Sequence, residues 1–342
     1  MPATRNAQCA ARHALLPFAV ACIAATALVA PRAALAQTHV LIVSGLGGEA
    51  RFTTRFRTLA SSLATAMHAR FGVPDANIAW LGEDATSKAP YYKGQSTREL
   101  IEREVKAIQS RAKPGDQVAI VLIGHGAGAE AESRISLPGP DLTVADLQRL
   151  LAGLSAQRVA FVNLTSASGD MMGLLAAPGR VTITATKTSY ERNESHFAEH
   201  FVNAFAVDVA DVDKDGRVSL LEAYKYATRE TKRGYDDASK IQTEHSQIDD
   251  NGSKQDMADP SGRDGQGMLA RRWFLDARAA GNVADSRVGA LYAEKYVLED
   301  RVDSLRMKKA TMPAADYEAN LEQVLVALAR KAREIRQAEG RP

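Results

Sequence analysis

The chain has 342 residues, 45% hydrophobic and 25% charged, with 43 Lys and Arg against 41 Asp and Glu and two cysteines. Three of the basic residues and none of the acidic ones precede Gln37, so the following 306 residues carry 40 positive against 41 negative charges. That balance, near −1, argues against a nucleic-acid or anionic-membrane partner, and the length suits one large core with an appendage.

Arg5, Arg12 and His13 precede an uncharged apolar stretch, residues 14–30, and Ala34-Leu35-Ala36 then offers small residues at the two positions a signal peptidase reads. The stretch is interrupted by Pro17 and is marginal for a bilayer-spanning helix. Residues 1–36 are therefore expected to be a signal peptide cleaved after Ala36, which places the protein in the periplasm or outside the cell. No Arg-Arg pair points to the twin-arginine route. A lipoprotein, lipidated on Cys22, is the rival, but the residues after Cys22 stay apolar to Ala30. Both cysteines, Cys9 and Cys22, fall in this segment, so the exported chain has no disulfide and no thiolate. No later apolar run approaches membrane-spanning length.

Apolar, β-branched runs bounded by turn residues follow at 40–44, 78–81, 118–123, 159–164 and 181–186. Helical periodicity fills 52–71, 97–112, 143–154 and 195–206. This alternation predicts an α/β fold with a mostly parallel central sheet covered by helices. Residues 241–267 are rich in Asp, Gly, Ser, Asn and Gln and are expected to form a long surface loop, a flap. From about Asp285 the composition turns charged and helix-favouring. Leu291, Leu298, Val302 and Leu305 form one apolar stripe, and Tyr317, Leu321, Val324, Leu328 and Ile335 another, with Pro313 placed for a first helical turn. An antiparallel helical hairpin over 285–338 is expected beside a main domain over 37–280, serving as a structural arm or as a docking arm.

Asp211-Val-Asp213-Lys-Asp215-Gly216-Arg217-Val-Ser219-Leu-Leu-Glu222 matches a twelve-residue EF-hand-type calcium loop. Calcium prefers six to eight hard oxygens. The carboxylates of Asp211, Asp213 and Asp215, the Arg217 carbonyl, Ser219 through water and a bidentate Glu222 would supply them, with Gly216 at the bend. The same residues also suit an acidic turn capping a helix that begins near Ser219. A structural calcium ion is the expectation, because four crowded carboxylates repel one another without a cation.

Two predicted strand ends hold the remaining candidates: 118–123 runs into Gly124-His125-Gly126, and 159–164 into Thr165-Ser166-Ala167-Ser168-Gly169. Here the chain resembles the caspase and legumain clan of cysteine peptidases. That clan has a His-Gly at one strand end and, about forty residues later, an Ala-Cys-x-Ser-Gly at the next; His125 and Ser166 are 41 apart. Residues 135–147 resemble the legumain stretch between the two motifs, and the likeness spans about 39–235. It implies a caspase/legumain-like three-layer sandwich, a catalytic role for His125 with Ser166 in place of cysteine, and an oxyanion site at Gly126. Thr165 or Ser168 could equally align with the nucleophile.

A serine is far less ionised than a thiol at neutral pH, so the departure implies a pseudo-peptidase that retains a cleft for a peptide or protein partner. The alternative is a serine-dependent hydrolase in which His125 serves as base to Ser166. Other patterns carry less. Gly124-His125-Gly126-Ala127-Gly128 has the outer glycines of a lipase nucleophile elbow with Gly126 where serine would stand. Gly45-Leu46-Gly47-Gly48 mimics part of a dinucleotide fingerprint. His196 and His200 share a helix face without the glutamate of a metallopeptidase motif.

Overall fold

The computed structural model describes residues 37–155, 157–207, 209–212, 217–254, 257, 260, 266–275, 286–309, 312–338 and 340. All seven residues of strand β1 (Thr38–Ser44) are buried, as expected for an aliphatic run covered on both faces. It pairs in parallel with β2 (Ile78–Gly82) on one side and β4 (Gln117–Ile123) on the other. The sheet continues outward through β3 (Tyr92–Gln95) beyond β2, and through β8 (Arg158–Asn163) and β9 (Arg180–Thr184) beyond β4. An antiparallel edge strand, β10 (Gln247–Asp249), closes the order β10-β9-β8-β4-β1-β2-β3. Between β4 and β8, three two-residue strands, β5 (Gly126–Ala127), β6 (Arg134–Ile135) and β7 (Leu142–Thr143), form a small antiparallel sheet.

Alternate residues of a strand face opposite ways, so each strand feeds two cores. Val40 and Ile42 join Leu63 and Met67 of α1 (Ala50–Ala69), Phe201 and Phe205 of α5 (Phe197–Ala206), and Tyr224 of α6 (Leu220–Asp237). Leu41 and Val43 join Ile101 and Val105 of α2 (Arg98–Arg111), Leu147 and Leu151 of α3 (Val144–Ala152), and Leu175 of the short α4 (Met172–Leu175). The result is an α/β sandwich with a largely parallel central sheet and C-terminal helices.

Several helix starts carry their own caps. Thr97 accepts from the Leu100 N–H, and Thr143 forms a reciprocal capping box with Asp146. At the start of helix α5 the Ser195 hydroxyl accepts from the Ala198 N–H at 3.3 Å, and Glu244, 48 residues from His196 and 2% exposed, completes the cap. Its carboxylate accepts from the His196 N–H at 2.8 Å, the Phe197 N–H at 3.1 Å, the Ser195 hydroxyl at 3.0 Å and the Tyr235 hydroxyl at 3.3 Å. The segment expected to be a surface flap is thus partly core. Gln247, Asp249, Asp250 and Gln266 are all buried, and Asp250 accepts three backbone N–H groups, from Gly267, Leu269 and Ala270, each at 2.8 Å.

Helices α7 (Ser286–Met307) and α8 (Ala314–Ala338) pack together. Val288 and Leu291 near the start of α7 meet Ile335 near the end of α8, and Lys331 pairs with Glu294 at 2.6 Å, so the helices run antiparallel. Arg271, before α7 in the chain, holds Glu299 of α7 through its Nε at 2.6 Å.

Replacing Glu244 by Ala strands two N–H groups at the start of α5, one of them buried, and is predicted to cost about 1–3 kcal/mol, while Gln, which keeps one acceptor oxygen, costs less. Urea unfolding followed by circular dichroism measures both; an unchanged midpoint for the Ala variant would show that α5 does not depend on this cap.

Candidate functional site

Strands β1, β4 and β8 are neighbours in parallel register, with Ser44 beside Ile123 and Leu122 beside Asn163. Their following loops therefore emerge side by side at the C-terminal edge of the sheet, the usual place for ligands in open α/β sheets. His125 and Ser166 lie on two of these loops. The Gly126 N–H donates to Ser166 Oγ at 3.3 Å, and the His125 carbonyl accepts from the Ser136 N–H at 3.0 Å. Glycine is required at 126, because a Cβ there would collide with the Ser166 carbonyl oxygen. Next in the chain, buried Ala167 adopts φ 51, a left-handed conformation that costs an alanine about 1–2 kcal/mol. Its N–H donates to the Glu191 carbonyl at 2.9 Å, which holds the turn that presents Ser166.

The three hydroxyls of this loop are bonded differently. Thr165 donates to Asn163 Oδ1 at 2.7 Å and is fully buried. Ser168 Oγ accepts from the Ala185 and Thr186 N–H groups at 3.1 and 3.3 Å and lies 3.2 Å from Thr186 Oγ1, which pins the loop to the end of β9. Both are structural ties. Ser166, 3% exposed, is left facing the His125-Gly126 turn.

The half-buried His125 ring lies edge-on to Phe52 and Phe56 of α1, at centroid distances of 4.6 and 5.0 Å. Burial lowers its pKa below the usual histidine value, opposed by a hydrogen bond to the Gly47 backbone and by the charge of Glu49. The lowered pKa favours the neutral ring, and a neutral imidazole has one donor and one acceptor nitrogen. Gly47 is itself fixed: Glu83, at the end of β2, accepts from its N–H at 3.1 Å and from the Thr53 hydroxyl at 2.7 Å. Among the described residues no hydrogen bond joins the His125 and Ser166 side chains. Glu83 and the two phenylalanines have no signal in the sequence, and Gly47 shows there only as part of a dinucleotide-like pattern, although the glycine turn after β1 has to lie beside His125 once β1 and β4 are adjacent.

The expectation of calcium is not upheld. Among the described residues no group of three or more His, Cys, Asp or Glu could hold a metal ion. Asp213, Asp215 and Gly216 lie outside the described residues. Glu222 Oε1 accepts from the Val212 N–H at 3.1 Å, and Oε2 accepts from the Ser219 N–H and hydroxyl, both at 2.9 Å. Ser219 Oγ in turn accepts from the Glu222 N–H at 3.2 Å, a capping box at the start of α6. Arg217 is buried with its guanidinium 3.6 Å over the Phe274 ring, and Asp211 is buried as well. Of the Glu222 carboxylate oxygens expected to ligate calcium, Oε2 serves the helix start and Oε1 accepts from the loop before it. Of the helix-face histidines, His196 meets Tyr235 edge-on at 5.7 Å, and burial lowers the pKa of His200.

No protein-family model and no curated protein sequence matches this chain. Among solved structures, a Geobacter sulfurreducens protein determined as a structural-genomics target is 11% identical, with a TM-score of 0.38 over 57% of this chain and 89% of that one. The Drosophila initiator caspase Dronc is also 11% identical, with a TM-score of 0.37 over 65% of this chain and 82% of its own. Both likenesses are weak, and the chemistry of the site rests on its own residues. Among the described residues no helix is long and apolar enough to cross a membrane.

Glu222→Ala is predicted to lower stability by about 1–2 kcal/mol through loss of the capping box, by the same amount in millimolar calcium as in chelator. A melting shift produced by calcium in the wild type and lost in the variant would contradict this. The unfolded state, with an ordinary histidine, takes up a proton before folded His125 does, so His125 withdraws stability as pH falls through the usual histidine range. His125→Gln should flatten that part of the stability profile between about pH 7 and 5.

Proposed function

We propose that this chain is an exported caspase/legumain-like protein without peptidase activity, in which the sheet edge that carries His125 and Ser166 binds a peptide segment of a partner. The observation that carries this reading is the state of the Ser166 hydroxyl, which sits on the Gly126 N–H at 3.3 Å while the His125 ring is engaged with Gly47. A serine nucleophile needs a base that is strong, oriented and within hydrogen-bond reach. Three things work against that here. Burial weakens the imidazole as a base, its orienting partner is a neutral carbonyl rather than a carboxylate, and the N–H that would stabilise an oxyanion is bonded to the serine itself.

A serine-dependent hydrolase is the second reading, favoured by the neutral imidazole with its accepting nitrogen on the loop next to Ser166. Turnover of a fluorogenic peptide library separates the two. The wild type should show none above background, Ser166→Cys should gain weak hydrolysis because a thiol needs less help from the base, and His125→Ala in that background should lose it. Wild-type turnover abolished by both Ser166→Ala and His125→Ala would make the hydrolase the function. Peptides retained by the wild type on an array should be released by Ser166→Trp, which would disrupt the loop at the proposed site; an array on which no peptide binds would remove the ligand from the reading.

A further inference from the structure

We propose that Asp116 is the receptor for the α-ammonium group created on Gln37 when the signal peptide is removed, so that maturation completes an ion pair at the N-terminal edge of the central strand. This rests on the export reading. The Gln37 nitrogen already lies 2.8 Å from Asp116 Oδ1, one residue before β1. In the uncleaved chain that nitrogen is an amide with one proton to donate. Signal peptidase adds water across the Ala36–Gln37 bond: the carbonyl carbon of Ala36 takes the oxygen and leaves as a carboxylate, and the Gln37 nitrogen departs as an amine that is protonated at neutral pH. The same contact then joins a full positive charge to a full negative one.

Asp116 is suited to that role. Its side chain is 6% exposed, and such a carboxylate needs compensation. Its other oxygen accepts from the Lys113 backbone N–H at 2.8 Å and lies 3.4 Å from His39 Nε2. Burial lowers the pKa of His39, opposed by its hydrogen bond to Asp116, and the Arg111 guanidinium, whose charge lowers it further, donates to Nδ1 at 3.5 Å, so the ring is a weak source of positive charge. Lys113 contributes its backbone and Arg111 reaches only the far side of His39, so among the described residues no charged Lys or Arg head group pairs with Asp116. The α-ammonium supplies the missing charge. Gln37 is fixed in place for it: its carbonyl accepts from the Gln117 N–H at 2.8 Å, and its Oε1 accepts from Asn77 Nδ2 at 2.9 Å. An N-terminal glutamine otherwise cyclises by attack of its amine on the side-chain amide with loss of ammonia. A protonated amine is no nucleophile, and the amide is held by Asn77, so the pair also protects the terminus.

The test expresses the full chain with its leader, purifies the exported protein, measures its intact mass and titrates the α-amine by pH-dependent acylation. The expected protein begins at uncyclised Gln37, with an α-amine pKa raised about one unit above the ordinary value of about 7.7–8.0. Asp116→Asn, or an alanine inserted between Ala36 and Gln37, should return that pKa to the ordinary value; if the Asn variant does not accumulate, the inserted alanine decides. A chain that begins at Gln37 with an ordinary amine, or as pyroglutamate, overturns the ion pair and leaves export standing. A chain that begins elsewhere, or keeps residues 1–36, overturns the cleavage reading and this inference with it.

Discussion

The parallel register of β1, β4 and β8 is the constraint from which the candidate site follows. Seven consecutive partners join β1 to β4, and six join β4 to β8, so the ends of the three strands cannot move independently. A one-residue slip would reverse which side chains face each core, and both faces of these strands are buried. That rigid edge presents Gly47, His125 and Ser166 on adjacent loops. Close backbone contacts finish the arrangement: the Gly45 N–H donates to the Ile123 carbonyl at 2.8 Å, and the Leu46 N–H to the Ser136 carbonyl at 2.9 Å.

The proposed binding role draws on the electrostatics of this frame. His125 loses solvent to Phe52 and Phe56 and gains in return a carbonyl, which orients the ring without supplying the full negative charge that would stabilise an imidazolium. Glu83 is one residue removed, holding Gly47 rather than the imidazole. Ser166 has its oxygen on the Gly126 N–H, and the strained turn at Ala167 keeps it there. Such strain is retained where surrounding contacts determine the geometry, here the bond from Ala167 to Glu191 and the tie from Ser168 to the end of β9.

Much of the α/β architecture is legible in the chain, because the central strands are uninterrupted aliphatic runs and the helices between them keep an apolar stripe. The strand ends also identify where His125 and Ser166 stand. The edges are harder to see. Tyr92-Lys-Gly-Gln95 forms β3 with a mixed, half-exposed pattern, and Gln247-Ile-Asp249 forms β10 inside a polar segment whose buried aspartates are satisfied by backbone N–H groups. The contact of Gly47 with His125 is hidden for another reason: a backbone partner has no side-chain signature. The acidic loop misleads because one spacing serves two purposes. Ser219 and Glu222 stand at the ninth and twelfth positions of a calcium loop and also at the ends of a Ser-x-x-Glu capping box, and the capping bonds are the ones formed.

The central claim is that His125 and Ser166 are neighbours on the sheet edge without being a coupled catalytic pair. Nuclear magnetic resonance titration of the His125 ring in the wild type and in Ser166→Ala tests it directly. The account predicts a pKa below the ordinary histidine value and the same in both proteins, since Gly47 and burial set it. A His125 pKa that moves when the Ser166 hydroxyl is removed would show the two groups to be hydrogen-bonded, and would contradict the account.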